Sequence, residues 1–388
     1  MTALLLRTTV ADIDLDAIAA NTRSLRERAG VDVIAVVKAD GYGHGAEAIA
    51  EAAMGSGAAA LAVATVEEAV VLRRTRATDP ILVLLGAQSQ AERDASVAGR
   101  LSVTVWDIES AAALGESARA AGGIATVHFK VDTGLTRLGA PHAQAVERYR
   151  EIEKLPGVRV EGVFTHLARA DEADLLTTTT QLDRFDDFLD AIVPPRWVHT
   201  SATAGVASLA TRPRITAVRP GLAVYGLHAA AHLADRLVLR AALSWRSRVH
   251  RVADVRAGTG VSYGHEYRLP RDGRIATVPV GYGDGLARAA GRGATLLING
   301  VAVPIAGRVA MDHVMLDITD VDDVREGGEV VVIGTQRGIA ITAEDLASAS
   351  GTINYEVVTA IRARVPRRYY RGGTLVATKT LADGYVRR

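Results

Sequence analysis

A chain of 388 residues, 48% of them apolar and none of them cysteine, can bury a large core and suggests two domains or one barrel with an appendage; disulfides and thiolate chemistry are excluded. The formal net charge of +1 gives no electrostatic case for nucleic acid or for an anionic membrane as partner. The opening Met-Thr-Ala-Leu-Leu-Leu-Arg is too short an apolar run for a signal peptide and no later run would span a bilayer, so the expectation is a soluble, cytoplasmic protein.

From about Asp12 to Leu239, short apolar strands alternate with helical segments. Asp14 or Asp16 is placed to cap a leading helix through Arg28. Strands are predicted at Val33–Val37, Ala60–Ala64, Ile81–Leu85, Leu101–Val105, Thr126–Val131, Arg159–Thr165, Arg196–Thr200 and Ile215–Arg219. Helical periodicity falls between most of them, as at Val66–Arg76, Ile108–Ala120, Ala143–Glu153 and Gln181–Ile192. Eight strand-helix units in roughly 220 residues is the count for a (β/α)8 barrel like that of triosephosphate isomerase. A doubly wound sheet is the competing fold, although no Gly-x-Gly-x-x-Gly fingerprint follows the first strand.

After Leu239 the pattern becomes alternating segments divided by turns: Arg246–Val252, Ile275–Pro279, Thr295–Ile298, Val303–Ile305, His313–Ile318 and Glu329–Ile333. Asn299-Gly300 is the strongest hairpin signal. One short helix, Ala343–Ser350, is expected between Thr342 as its cap and Gly351 as its stop. The fold expected is therefore α/β: a barrel over 11–235, then a mainly β domain over 236–388, with His228–Asp235 as the connection.

The stretch Val31 to Gly45 organises the rest. Val33 to Val37 reads as a strand buried on both faces, and Lys38 stands at its carboxyl end, before glycines 41, 43 and 45 with Tyr42 and His44 between them. A lysine ending a buried strand is costly unless its amine is neutral or paired, and desolvation is the usual route to a nucleophilic amine at neutral pH. A snorkelling lysine before an ordinary glycine turn is the competing reading. The loop, which can bring backbone amides and Tyr42 close to a ligand, favours the reactive one.

A barrel sets its working residues at the carboxyl ends of its strands. Lys38 follows strand one; Lys130, Asp132 and Arg137 end strand five; His166 ends strand six. Ser201 and Thr203 follow strand seven, and Arg219-Pro-Gly221 ends strand eight. Taken singly, Asp132 could cap a turn and His166 could be a satisfied core histidine; their convergence on one rim is harder to explain that way. Asp132, His166 and Asp171 lack the spacing of a metal-ligand motif, so no metal site is expected.

These residues carry a resemblance. Val36-Val-Lys-Ala-Asp-Gly-Tyr-Gly-His-Gly45 closely resembles the pyridoxal-phosphate signature of bacterial alanine racemases. Similar segments follow in the same order: Lys130-Val-Asp-Thr-Gly-Leu-Thr-Arg137-Leu-Gly, Thr165-His166-Leu-Ala-Arg-Ala-Asp171, Val218-Arg219-Pro-Gly221 and Val261-Ser-Tyr263-Gly264. So do Gly281-Tyr282-Gly-Asp284-Gly285, Gly307-Arg-Val-Ala-Met311-Asp312 and Thr352-Ile-Asn-Tyr355-Glu. The resemblance spans essentially the whole chain.

What it implies is a pyridoxal-phosphate-dependent racemase interconverting L- and D-alanine, whose D-alanine would supply peptidoglycan. Lys38 would carry the cofactor and Tyr263 would be the second of two bases needed on opposite faces of Cα. Tyr42, Thr203, the amides around Gly221, and Tyr355 would cradle the phosphate, with Arg219 facing the ring nitrogen. A guanidinium can only donate, so that nitrogen would stay unprotonated and the cofactor would be a restrained electron sink. A tyrosine base needs cationic neighbours, and His166 with Arg219 behind it is the set expected. Arg137 and the Met311 amide would hold the substrate carboxylate, with Asp312 in support, and Lys130 matches a lysine carbamylated in many members. The usual Asn after strand seven is replaced by Ala202. The family also implies a head-to-tail homodimer with shared active sites, and that the first few residues add a strand to the β domain, so that 1–10 belong with it. Racemisation of another small amino acid such as serine is the nearest alternative. A non-catalytic pyridoxal-phosphate carrier is another, although such carriers lack the β domain.

Overall fold

The computed structural model describes residues 6–76 and 78–388. The chain divides into two compact units, Ala17–Gly41 with Ile49–Ala241, and the residues up to Asp16 with Tyr42–Ala48 and Ala242–Arg388.

The first unit is a closed parallel barrel. Its strands are β1 (Asp32–Val36), β2 (Ala60–Val63), β3 (Ile81–Val83), β4 (Ser102–Val105), β5 (Ala125–Asp132), β6 (Val158–Phe164), β7 (Trp197–His199) and β8 (Ala217–Val218). Each pairs in parallel with the next, and Ala217 and Val218 of β8 pair with Asp32 and Val33 of β1. That last pairing removes both sheet edges and excludes the doubly wound alternative. The helices Val66–Arg73, Ile108–Ala120 and His142–Glu153 fall where the periodicity puts them. The fourth, Leu176–Asp190, starts five residues early, over a run of threonines that periodicity alone does not favour.

Strand alternation in β5 decides what faces where. Val127, Phe129 and Val131 pack with Leu114, Tyr149, Ile152, Phe185 and Phe188 of the surrounding helices. Phe129 meets Tyr149 edge-on at 5.7 Å and stacks on Phe188 at 5.9 Å. The alternate residues, His128 and Lys130, therefore project to the opposite face, into the barrel.

The second unit is built mainly on one mixed sheet. Among the described residues its order is Val301–Pro304, Thr295–Ile298, Glu329–Gln336, Leu243–Arg248, Val10–Asp14, Arg367–Arg371, Thr374–Thr380 and Gly384–Arg387, with Ile339–Ile341 paired to Glu329–Gln336. A smaller sheet joins Arg251–Val255, Gly273–Val278 and Val314–Asp317. Asn299 and Gly300, with φ of 53° and 81°, make the two-residue turn between Thr295–Ile298 and Val301–Pro304. The helix Ala343–Ser350 has the expected Thr342 cap and a left-handed Gly351.

The strands of the second unit differ from expectation at two places. The single strand over Arg246–Val252 is two, Leu243–Arg248 and Arg251–Val255, which belong to different sheets. Among the described residues the N-terminal strand of this sheet is Val10–Asp14, and the part of the expectation that falls on residues 1–5 lies outside those described. The last three strands were not foreseen, because basic residues interrupt their apolar alternation; Asp12 accounts for one of them by gripping Arg368 from the neighbouring strand at 2.5 and 2.7 Å.

Candidate active site

Within the barrel unit, seven of the residues named from sequence come from strand ends or the loops that follow them: Lys38 after β1, Lys130 and Arg137 from β5, His166 after β6, Thr203 after β7, and Arg219 and Gly221 after β8. Lys38 is half-buried and is carried on a turn of left-handed backbone, with φ of 51°, 52°, 62° and 50° at Ala39, Asp40, Gly41 and Tyr42. Left-handed backbone costs a non-glycine residue roughly 1–2 kcal/mol, so this turn is held by its surroundings. Burial, then the nearby Arg137, lower the pKa of the Lys38 amine, against the opposing pull of Glu68.

Arg219 is almost fully buried, and every hydrogen bond it makes is as donor. Its Nη1 lies 2.6 Å from His199 Nδ1, and its Nη2 donates to the carbonyls of Thr165 and Thr200 at 2.8 and 2.9 Å. His166 Nδ1 is 3.3 Å from the same Nη2, and the Phe164 ring lies 4.7 Å from the guanidinium carbon. Burial lowers Arg219 to about 9, still cationic at neutral pH.

That donor-only group assigns the tautomers behind it. His199 must accept at Nδ1 and carry its proton on Nε2, which it gives to His128 Nδ1 at 2.8 Å. Burial and then the Arg219 charge lower His128 to about 3 and hold His199 well below its ordinary value. Gly162 makes room for this pair, since a Cβ there would lie 2.4 Å from His128 Nδ1. Neither His128 nor His199 was singled out from sequence. The signal present was a histidine alternating with Lys130 in an otherwise apolar strand.

His166 departs from expectation. Burial first, then Arg219, Arg137, Lys130 and Lys38 in turn, lower it to about 3, so it is a neutral imidazole and cannot be the cationic neighbour foreseen for a tyrosine base. Lys130 is buried and lowered to about 8 by burial, then by Arg137 and Arg219, with Asp132 opposing. Asp132 itself clamps the loop after β5: one of its oxygens accepts from the amides of Gly134, Leu135 and Thr136 at 3.0, 3.0 and 3.1 Å. The Thr203 hydroxyl accepts from the Ala223 amide at 3.1 Å, beside Gly221, and keeps its own proton to donate. Ala202 stands at the N-cap of Thr203–Ser208 with no side-chain bond to the helix.

The remaining residues lie in the second unit. The Tyr42 and Tyr355 rings are 6.2 Å apart, and burial, followed by Tyr355, raises the Tyr42 phenol. Gly43 and Gly45 leave no room for a side chain: a Cβ would strike the Val358 carbonyl at 2.1 Å or the Tyr369 hydroxyl at 1.8 Å, respectively. Tyr263 is 71% exposed and Met311 52% exposed. The 310–311 peptide is held from behind by the Tyr282 amide on Ala310 O at 3.1 Å, and the Gly283 amide reaches Met311 O at 2.9 Å. Arg364 spans Met311 O, Asp312 and the fully buried Asp284 at 3.3, 2.7 and 2.8 Å, a bracket that sequence reading missed. Among the described residues no three His, Cys, Asp or Glu side chains gather as a metal would require.

A closed barrel with a half-buried amine and a buried guanidinium at its strand ends, continued by a β unit, defines a barrel enzyme of two-domain type. Residues 13–229 match the family described as alanine racemase, N-terminal domain, and 242–369 match alanine racemase, C-terminal domain. The chain belongs to the alanine racemase family. It is 43% identical to the alanine racemase of Symbiobacterium thermophilum, over 95% of this chain and 98% of that one. With the alanine racemase of Desulfosudis oleivorans it shares 41% identity, over 94% and 97%. The crystal structure of alanine racemase from Bacillus anthracis with bound L-Ala-P superposes with a TM-score of 0.90, at 35% identity, covering 97% of this chain and 99% of that one. No helix among the described residues is long and apolar enough to cross a membrane.

Proposed function

We propose that this chain interconverts L- and D-alanine with pyridoxal phosphate as its cofactor. The observation that carries the reading is the pairing of two groups on one rim: Lys38, an amine lowered by burial, and Arg219, a buried cation that can only donate. The donor set fits the cofactor. Four basic side chains, Lys38, Lys130, Arg137 and Arg219, gather about the neutral His166, a field suited to a phosphorylated aldehyde. When bound, pyridoxal phosphate supplies an electron-withdrawing ring that acidifies the Cα proton of an attached amino acid.

The chain's own residues do the rest. Lys38 anchors the cofactor and takes or gives the proton on one face of Cα; Tyr263 serves the other face. Arg219, a donor-only cation, would hold the ring nitrogen without protonating it, which would temper the electron sink and favour simple racemisation. With His166 neutral, Arg219 is the remaining member of the cationic pair expected for the tyrosine base. Tyr42, Thr203, Gly221 and Tyr355 hold the phosphate. Arg137 and the Met311 amide would hold the substrate carboxylate, and Asp312 supports Met311 through Arg364, which donates to both. Lys130, lowered to about 8, would become as a carbamate the anion that steadies Arg137. The exposure of Tyr263 and Met311 supports a head-to-tail homodimer in which they serve the partner's barrel. Such an enzyme would work in the cytoplasm, supplying D-alanine for peptidoglycan.

Chiral analysis after incubating purified protein, loaded with pyridoxal phosphate, with L-alanine should show D-alanine rising to equimolar. Borohydride treatment should leave cofactor mass on the peptide containing Lys38. A racemate formed with the mass on Lys130 would remove Lys38 from its role, and no D-alanine would overturn the function.

A further inference from the structure

We propose that Glu68 is the positioning residue for Lys38, holding closed the left-handed turn on which the amine is carried. This deepens the function proposed above and rests on it for the cofactor readout. Ala39 follows Lys38, and its amide belongs to the peptide that sets the Lys38 backbone angle ψ. That amide donates to Glu68 Oε1 at 2.6 Å, across 29 residues of sequence. The second carboxylate oxygen accepts from the amides of Ala64 and Thr65, at 2.8 and 3.2 Å, just beyond β2. One carboxylate therefore ties the end of β1 to the end of the next barrel strand. The turn it ties has positive φ at Ala39, Asp40 and Gly41, and a 2.9 Å bond runs within it from the Gly41 amide to the Val37 carbonyl.

Glu68 has an ordinary task as well. It is the third residue of the helix Val66–Arg73 and completes a capping box with Thr65. A capping box needs only the Thr65 partners. The bond to Ala39 lies outside it and reaches the one turn that carries Lys38. The carboxylate also acts on the amine through space. Lys38 faces Arg137, which lowers its pKa, and the neutral His166; Glu68 pulls the other way.

Two substitutions separate the tasks. Thr65→Ala removes the cap and leaves the Ala39 bond, whereas Glu68→Ala removes both; Glu68→Gln keeps an acceptor without the charge. Each is measured by melting temperature, by the dissociation constant of apo protein for pyridoxal phosphate, and by the pH midpoint for acetic anhydride labelling of Lys38 in the apo chain. Thr65→Ala should lower the melting temperature and leave the other two at wild type. Glu68→Ala should weaken cofactor binding about tenfold, the worth of a charge-assisted bond, and shift the labelling midpoint to lower pH. Glu68→Gln should recover most of the affinity while keeping the lowered midpoint. If Glu68→Ala moves only the melting temperature, as Thr65→Ala does, Glu68 is a helix cap and nothing more. If wild type itself fails to bind pyridoxal phosphate, the proposed cofactor is wrong, and the labelling midpoints still decide the role of Glu68.

Discussion

Three histidines of the barrel unit, His128, His166 and His199, are kept uncharged by burial and by the Arg219 guanidinium. An unfolded imidazole takes up a proton as pH falls through ~6.5, whereas His128 and His166 in the folded chain do so only near 3. Their folded pKa values are depressed, so the unfolded chain binds more protons throughout that window. Stability is complete above pH ~6.5 and is lost as pH falls, by up to ~1.4 kcal/mol per pH unit for each histidine. Thermal unfolding should therefore show a marked loss of midpoint between pH 7 and pH 5, and His128→Asn should reduce the slope by about a third. A midpoint unchanged over that range would mean that these rings titrate normally. At this scale the sequence was informative where a residue type broke a pattern, as Lys38 and Arg219 do at the ends of apolar strands. It was silent on charge state. His166 looked like a cation because histidine can be one; burial among four basic groups decides otherwise.

Among the elements, the short helix Thr203–Ser208 carries the departure with a physical cost. Its N-cap is Ala202, which leaves the first helical amides without the side-chain acceptor that Asn, Ser, Thr or Asp provides. Ala202→Asn should raise stability by about 1 kcal/mol in denaturant unfolding. If Thr203 faces phosphate as proposed, the same change, by steadying the turn that carries Thr203, should tighten pyridoxal phosphate binding in a visible-absorbance titration. A stability gain with an unchanged dissociation constant would place the helix away from the phosphate; no gain in either would mean that Ser201 or water already satisfies those amides. Elements with strong periodicity, caps or a two-residue turn were legible: Ile108–Ala120, Thr295–Ile298 and Ala343–Ser350 stand at the bounds read from sequence. Arg367–Arg371 and Thr374–Thr380 were not: basic residues interrupt their apolar alternation, and Arg367–Arg371 takes its place from a parallel ladder with Val10–Asp14 at the other end of the chain.

For the molecule as a whole, the test is whether each site is completed by a second chain. If Lys38 and Tyr263 are the two bases of a shared-site dimer as proposed, Lys38→Ala and Tyr263→Ala proteins should each be nearly inactive, since a base of this kind is worth about 10²–10⁴-fold. Unfolding and reassembling the two together should give mixed dimers in which one site lacks both bases and the other has both. Activity should climb towards about a quarter of wild type under random pairing. A mixture as inactive as its parents, although mixed dimers are shown to form, would place Tyr263 in its own chain's site.

Local patterning was enough to establish the alternation of strands and helices, the change to a β-rich region after Leu239, and the strand-end positions of Lys38, Lys130, His166 and Arg219. All of these depend on periodicity or on a polar residue within a few positions of an apolar run. Tertiary structure alone decided the closure of β8 on β1, the neutral state of His166, the His128–His199 pair behind Arg219, and the grip of Glu68 on the turn after Lys38. Each joins residues tens to hundreds of positions apart. Pairing and desolvation at that range depend on which strands become neighbours, and no local window of the chain contains that information.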